Sequence, residues 1–340
     1  MTKPFKIVLA GCGAMAHTWV KYALERQDAD IVALVDLSQS SARALAAQYR
    51  LERVGIFSDV TEAIRAAGAN LVFDVTVPQA HERVTRAALE AGCDVLGEKP
   101  MAASLEQARG MVALARSSGK TYAVMQNRRY LEPIRALRSL IAAETVGTPG
   151  FVTAEFFIGA HFGGFRDTMN SPLLLDMAIH TFDQARFITG KDPVSVYCHE
   201  FNPSGSWYAG SAAAACIFEF EGGLVFSYNG SWCAEGAPTS WEASWRISGS
   251  HGTALWTGSD APYAEVVADP EQQGFLCDVA RVNALLDWKG RQGHFGALDE
   301  MFAALLEGRA PETVCSDNIR SVAMVYGALE SARTGRKVWL

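Results

Sequence analysis

Lys6-Ile7-Val8-Leu9-Ala10-Gly11-Cys12-Gly13-Ala14-Met15-Ala16 is the stretch that decides the reading of this chain. An apolar strand runs into Gly-x-Gly-x-x-Ala, a helical segment follows over 17–26, and a second strand, Ile31 to Val35, ends on Asp36. Parts of this kind in this order form a dinucleotide-binding βαβ fingerprint. Gly11 permits the tight turn, Gly13 lets the backbone approach a pyrophosphate, and Ala16 lets helix and strand pack closely. The pyrophosphate is expected on the helix N-terminus, against free N–H groups and the positive end of the dipole, with Gly13, Ala14 and Met15 in contact. Asp36, 20 residues past Ala16, is placed to accept from the adenosine ribose hydroxyls. A carboxylate there repels a 2′-phosphate, and the nearest arginine downstream is Arg43, so NAD is expected rather than NADP.

A chain of 340 residues favours two domains, here expected over 1–124 and 125–340. Apolar content of 49% with 20% charged residues indicates globular protein. A net charge of −7 argues against nucleic acid or an anionic membrane as partner. No apolar run approaches the length that spans a bilayer. Met1-Thr2-Lys3-Pro4-Phe5 leads directly into the first strand, which leaves no room for a signal peptide. Seven scattered cysteines without a CxxC pair argue against zinc and against a disulfide framework, so no metal and a cytoplasmic location are expected. Cys12, inside the glycine turn, reads as a small filler.

Up to residue 124, strands at 6–10, 31–35, 55–57, 71–75, 94–97 and 121–124 alternate with helices at 14–26, 40–49, 59–67, 79–91 and 104–118. Solid apolar strands between helices predict a doubly wound parallel sheet covered on both faces, an α/β Rossmann arrangement. Ligands of such a sheet bind past the strand carboxyl ends. Beyond about 150, alternating segments at 151–157, 215–220, 224–228, 241–248 and 253–257 predict a large, mostly antiparallel open sheet in an α+β second domain. Helices at 294–307 and 316–334 close the chain.

The chemistry-bearing residues follow strands. Thr76-Val77-Pro78 with His81 comes after the fourth, and Gly97-Glu98-Lys99-Pro100 after the fifth. Pro100 biases Lys99 toward extended backbone, which pushes its cation out at the strand end, toward the nicotinamide. Asn170, Ser171 and Pro172 read as a helix start and Gly190 as its stop. Within it Asp176, His180 and Asp183 share a face at i, i+4 and i+7. By spacing alone this is either a solvated polar stripe or a proton-transfer site.

The chain resembles the glucose-fructose oxidoreductase / inositol dehydrogenase / MocA (Gfo/Idh/MocA) family. The resemblance rests on the glycine turn, Thr76-Val77-Pro78 with His81, Glu98-Lys99-Pro100 and Asn127-Arg128-Arg129-Tyr130 with Pro133. It continues in Asp176-x-x-x-His180-x-x-Asp183 and in the tail Glu330 to Val338. It implies an NAD-dependent oxidoreductase moving a hydride between a secondary hydroxyl of a sugar, cyclitol or related polyol and the nicotinamide. In that reading His180 is the general base, Lys99 stabilises developing alkoxide charge, and Asp176 orients substrate or His180. Thr76, Val77, Pro78, His81, Glu98, Lys99 and Asn127 then line the cofactor. The resemblance also implies a homo-oligomer, dimer or tetramer, paired through the open face of a six-stranded antiparallel sheet.

Ser171 to Leu175 and Ile179 are bulkier than the glycines the family often carries there, which leaves pocket size and substrate identity open. Arg128 and Arg129 suit either cofactor contact or a bridge between domains. Phe162, Phe165, Trp207, Tyr208, Trp232 and Trp241 are candidates for stacking on a sugar ring, one or two of the six being expected to do so. His161, His199, His251 and His294 read as structural, with His294 alone in reach of the cleft. An NAD-retaining enzyme with transient oxidation (epimerase, lyase or hydrolase) and a non-catalytic NAD-binding regulator remain as alternatives.

Overall fold

Runs of Val, Ile, Leu and Phe too short for helices become six parallel strands in a computed structural model describing residues 4–272 and 274–340. The expectation about a leader rests partly on Met1 to Lys3, outside the described residues. In chain order the first elements are β1 (Phe5–Ala10), α1 (Ala16–Glu25), β2 (Ala29–Val35), α2 (Gln39–Gln48), β3 (Gly55–Phe57) and α3 (Val60–Ala67). They continue with β4 (Leu71–Asp74), α4 (Pro78–Glu90), β5 (Asp94–Gly97), α5 (Leu105–Ser118) and β6 (Tyr122–Val124). The strand order is β3-β2-β1-β4-β5-β6, so the winding reverses between β1 and β4. Helix boundaries follow local chemistry. Ser38, Asp59 and Ser104 accept from backbone N–H groups at the starts of α2, α3 and α5, while Gly68 and Gly119 end α3 and α5 in the left-handed region.

The second set of strands lies beyond α6 (Glu132–Ala142): β7 (Pro149–Phe157), then, after α7 (Ile179–Thr189), β8 (Pro193–Phe201), β9 (Ala213–Phe220) and β10 (Val225–Ser231). β11 (Ser244–Gly249), β12 (Gly252–Trp256), β13 (Tyr263–Val267) and β14 (Val279–Asn283) follow, then α8 (Gly293–Glu307), α9 (Cys315–Thr334) and β15 (Val338–Trp339). The sheet has nine strands in the order β14-β13-β12-β11-β7-β10-β9-β8-β15, where six were expected, and β7 and β10 pair in parallel. β8, β13, β14 and β15 have no counterpart among the expected segments; β14 is exposed along its whole length, so it lacks a buried alternation, and β15 is two residues long. The segment expected as a strand from Trp241 begins at Ser244, because Ala243 adopts a positive φ of 66°. One face of this sheet is a packed aromatic layer, with Phe182 of α7 at 4.8 Å from Phe218 and 5.2 Å from Tyr228. The alternate residues Phe151, Tyr197, Phe201 and Ile217 face outward, about half exposed.

The chain divides into two compact units, Met1–Asn127 with His294–Val322, and Arg128–Gly293 with Ala323–Leu340. A single cut at 124/125 does not capture this, because α8 returns to the parallel sheet. The reason is an aromatic cluster: Phe302 of α8 packs at 5.0 Å from Phe5, 5.6 Å from Tyr22 and 6.0 Å from Phe73, and Phe73 at 4.8 Å from Trp19. Arg26 lies over the Phe302 ring at 4.1 Å, and the Tyr22 hydroxyl donates to Asp299 at 3.0 Å. None of the helices among the described residues is long and apolar enough to cross a membrane.

Phe302 is fully buried. Its replacement by Ala should lower the unfolding free energy by about 3–5 kcal/mol in a urea titration, as for large cavities elsewhere. A second expectation concerns Glu200 on β8, whose carboxyl burial pushes up to about 7, against a smaller downward pull from the Ser171 hydroxyl. A carboxyl whose folded pKa is raised stabilises the protein at low pH, and that contribution is lost as pH rises toward 7. Glu200→Gln should therefore melt above wild type at pH 8 and together with it near pH 4.5.

Candidate active site

The nucleotide cradle of the first unit is set by backbone. Gly11 has φ +91°, and a Cβ there would lie 2.4 Å from the Val75 carbonyl oxygen, so only glycine fits. At Gly13 a Cβ would meet nothing within 4 Å: the space beside it is clear, and α1 begins without a side-chain cap or an acidic residue in its first turn. Among the described residues no group accepts from the N–H of Gly13, Ala14 or Met15, all three exposed. The Asp36 carboxylate receives the Cys12 N–H on one oxygen and the Ser38 N–H on the other, both at 2.8 Å, which holds it at the end of β2 with lone pairs to spare. These features fit NAD: donors for a pyrophosphate at a helix N-terminus and a fixed acceptor for ribose hydroxyls. Burial beside Asp36 pushes the Cys12 thiol up to about 12, which leaves it an inert filler.

At the end of β4, buried Asp74 accepts from the Thr76 hydroxyl at 2.6 Å and the Thr85 hydroxyl at 3.0 Å, and faces His81 Nδ1 at 3.0 Å. His81 is therefore buried beneath the strand end, 1% exposed, and shapes the turn that presents Thr76, exposed Val77 and Pro78. Asp74, which sequence reasoning did not single out, organises this turn. At the end of β5, Glu98 is 8% exposed; one carboxylate oxygen accepts the Trp19 indole N–H at 2.8 Å and the other the Lys99 N–H at 3.2 Å. Lys99 is half-buried, and its bond to Pro100 is cis. His294, at the start of α8, places Nε2 3.8 Å from Glu98 and Nδ1 3.3 Å from the Asn127 amide. It thus joins two expected cofactor residues, an association that no local motif announces.

The second unit carries Asp176 and His180, and the helix that bears them is not regular. Leu173–Ala178 forms a π-helical turn that passes into α7 at Ile179. π-turns of this kind often mark functional sites. The expected side-chain cap is absent: Ser171 donates to Glu200 at 2.9 Å instead. Gly190 ends the helix in the left-handed region, as the sequence reading has it. His180 is 6% exposed. Asp176 accepts from Arg166 Nε at 2.6 Å. Asp183 does not belong with them. It is buried and held by Arg129 through two bonds of 2.6 and 2.7 Å, with Arg186 at 3.9 Å.

Arg129 and Arg128 both find partners inside the second unit. Arg128 donates to the Trp241 carbonyl and to Glu242, 3.1 Å away, and lies 3.7 Å from the Met177 sulfur. Burial pulls the Arg128 guanidinium down and pushes the Glu242 carboxyl up. Of the six aromatic candidates, Tyr208 and Trp232 are core, and Trp207 stacks on His161 at 3.7 Å. Phe162, Phe165 and Trp241 present 50%, 64% and 44% of their surface and are the three exposed members of the set, Trp207 being half-buried. Among the described residues no group of three or more His, Cys, Asp or Glu is placed to hold a metal.

Known proteins give the same picture. Residues 5–126 match the description "Oxidoreductase family, NAD-binding Rossmann fold", and residues 134–255 the GFO/IDH/MocA C-terminal domain. D-apiose dehydrogenase of Paraburkholderia graminis is 26% identical over 343 residues, covering 99% of this chain and 90% of its own. D-glucoside 3-dehydrogenase of Escherichia coli is 30% identical over 212 residues, 60% of each chain. Among solved structures, an oxidoreductase from Agrobacterium radiobacter in complex with NAD+, L-tartaric acid and magnesium superposes with a TM-score of 0.84 at 24% identity over 98% of both chains, a likeness of fold. A strand order, a glycine cradle and two matched domains thus converge: the chain is an NAD-binding oxidoreductase of the Gfo/Idh/MocA family.

Proposed function

We propose that this oxidoreductase is a dehydrogenase acting on a secondary hydroxyl of a sugar, cyclitol or related polyol. The observation that carries the reading is the cradle around Gly13: its open Cβ direction and exposed backbone donors have no structural task, yet fit a dinucleotide. Bound NAD supplies the hydride acceptor. The chain's own residues divide the remaining work. His180, largely withdrawn from water, takes the hydroxyl proton as general base. Lys99 stabilises the negative charge that develops on the same oxygen. Asp176, fixed by Arg166, orients substrate or imidazole. Thr76, Val77, Pro78, His81, Glu98 and Asn127 shape the cofactor environment, with Asp36 selecting NAD over its 2′-phosphorylated form.

In this proposal the protein is cytoplasmic, in keeping with seven free thiols, and works as a homo-oligomer. The outward sheet face supports the second point, since Phe151, Tyr197, Phe201 and Ile217 give it an apolar character and Trp339, 69% exposed, extends it at the β15 edge.

Two measurements test this reading. Lys99→Met and His180→Ala should each reduce kcat about 100- to 10,000-fold with a turned-over sugar or polyol, while the NAD dissociation constant stays within about threefold; near-normal turnover removes the residue from the mechanism. Ile217→Lys should shift sedimentation from an oligomer to a smaller species, and a wild-type monomer at working concentration would dismiss the sheet-face interface.

A further inference from the structure

Arg166 occupies a one-turn 3-10 segment, Gly164–Thr168, in which no residue is buried. Its guanidinium is nevertheless held in place. Nε donates to Asp176 at 2.6 Å, and the cation lies 5.0 Å from the Phe162 ring centre and 4.7 Å from that of Phe165. Phe162 is anchored edge-on against Trp232 at 5.3 Å, yet both rings are at least half exposed, so each keeps apolar surface open to a ligand. The clamp fixes the guanidinium plane and leaves its outer edge open. No acceptor among the described residues is bonded to Nη1 or Nη2, and the side chain is 31% exposed. A guanidinium carries five N–H groups, of which one is used here, and its outer fork matches the two oxygens of a carboxylate. Repulsion from Asp176 does not forbid a second carboxylate, because Arg128 also acts on Asp176 and the aspartate sits in the field of two cations.

We propose that Arg166 is a specificity-determining residue that receives a carboxylate of the substrate, which makes the substrate a sugar acid, uronic or aldonic, rather than a neutral polyol. The inference deepens the reading given above and rests on Asp176 and His180 being substrate-facing groups. The bidentate contact orients the ring from the Asp176 side, and the exposed faces of Phe162 and Phe165 are free to pack against its C–H surface.

The test is calorimetric titration of the NADH-loaded protein with D-glucuronate, D-galacturonate and D-gluconate, each against its neutral counterpart D-glucose, D-galactose or D-glucitol. Wild type, Arg166→Gln and Arg166→Lys are compared, with thermal melts to verify folding. At least one acid should bind about 10- to 100-fold more tightly than its neutral partner, from the usual strength of charge-assisted hydrogen bonds. Arg166→Gln should erase that ratio and Arg166→Lys retain part of it. Equal binding of acid and neutral sugar, no measurable binding of any acid, or an Arg166→Gln loss that falls equally on both overturns the proposal; the last would assign Arg166 to positioning Asp176. Binding is read without turnover. A protein that binds acids but transfers no hydride therefore keeps this inference and loses the dehydrogenase reading, while turnover of neutral sugars alone does the reverse.

Discussion

The missing side chain of Gly11 is the constraint on which the nucleotide site depends. The turn after β1 passes so close to the end of β4 that a Cβ would sit 2.4 Å from the Val75 carbonyl oxygen. The Gly11 N–H bonds to Val35 O on one side, and Val75 N–H bonds to Ala10 O on the other, both at 2.8 Å. Three strand ends are thereby drawn to one spot, where Asp36, Thr76 and the exposed N–H groups before α1 are found. A side chain at this position would push the turn off β4 and separate the Cys12 N–H from Asp36, which it now meets at 2.8 Å.

In the second unit, burial sets apart two carboxylates that the helical spacing groups together. Asp176 and Asp183 lie on one segment, but Asp183 is 1% exposed and doubly bonded to Arg129. Breaking a buried pair of this kind by removing one partner costs about 3–5 kcal/mol. The Asp176–Arg166 pair is partly open to water, with the arginine 31% exposed, and pairs near the surface contribute about 0–1 kcal/mol. Asp183 therefore belongs to the architecture, whereas the Asp176–Arg166 contact is one whose exchange costs little. The π-turn just before α7 places this less constrained residue where the helix departs from regular geometry.

The fold of the first unit and the candidate nucleotide cradle were legible because their signals are local. A glycine that must adopt positive φ, an acidic residue at a strand end and a polar set with helical spacing are written in a few neighbouring residues. What escaped reading depends on distant partners. Asp74 looks like the last residue of an apolar strand until Thr76, Thr85 and His81 converge on it. His294 is an ordinary helix-start histidine until Phe302 carries α8 back to the parallel sheet. Ser171 has the right chemistry for a cap, yet half-buried Glu200 claims its hydroxyl.

The amino-acid sequence by itself determined the parallel winding of the first unit, the glycine cradle and the acidic acceptor at the end of β2. These follow from strand and helix periodicity and from side-chain chemistry within short windows. Only the tertiary structure decided that α8 belongs with the first unit, that Asp183 is consumed by Arg129, that three of six aromatics are exposed and that Arg166 holds Asp176. Each of these is a competition among partners far apart in the chain. Its outcome depends on which groups lose water together, a quantity that exists only once the chain is packed.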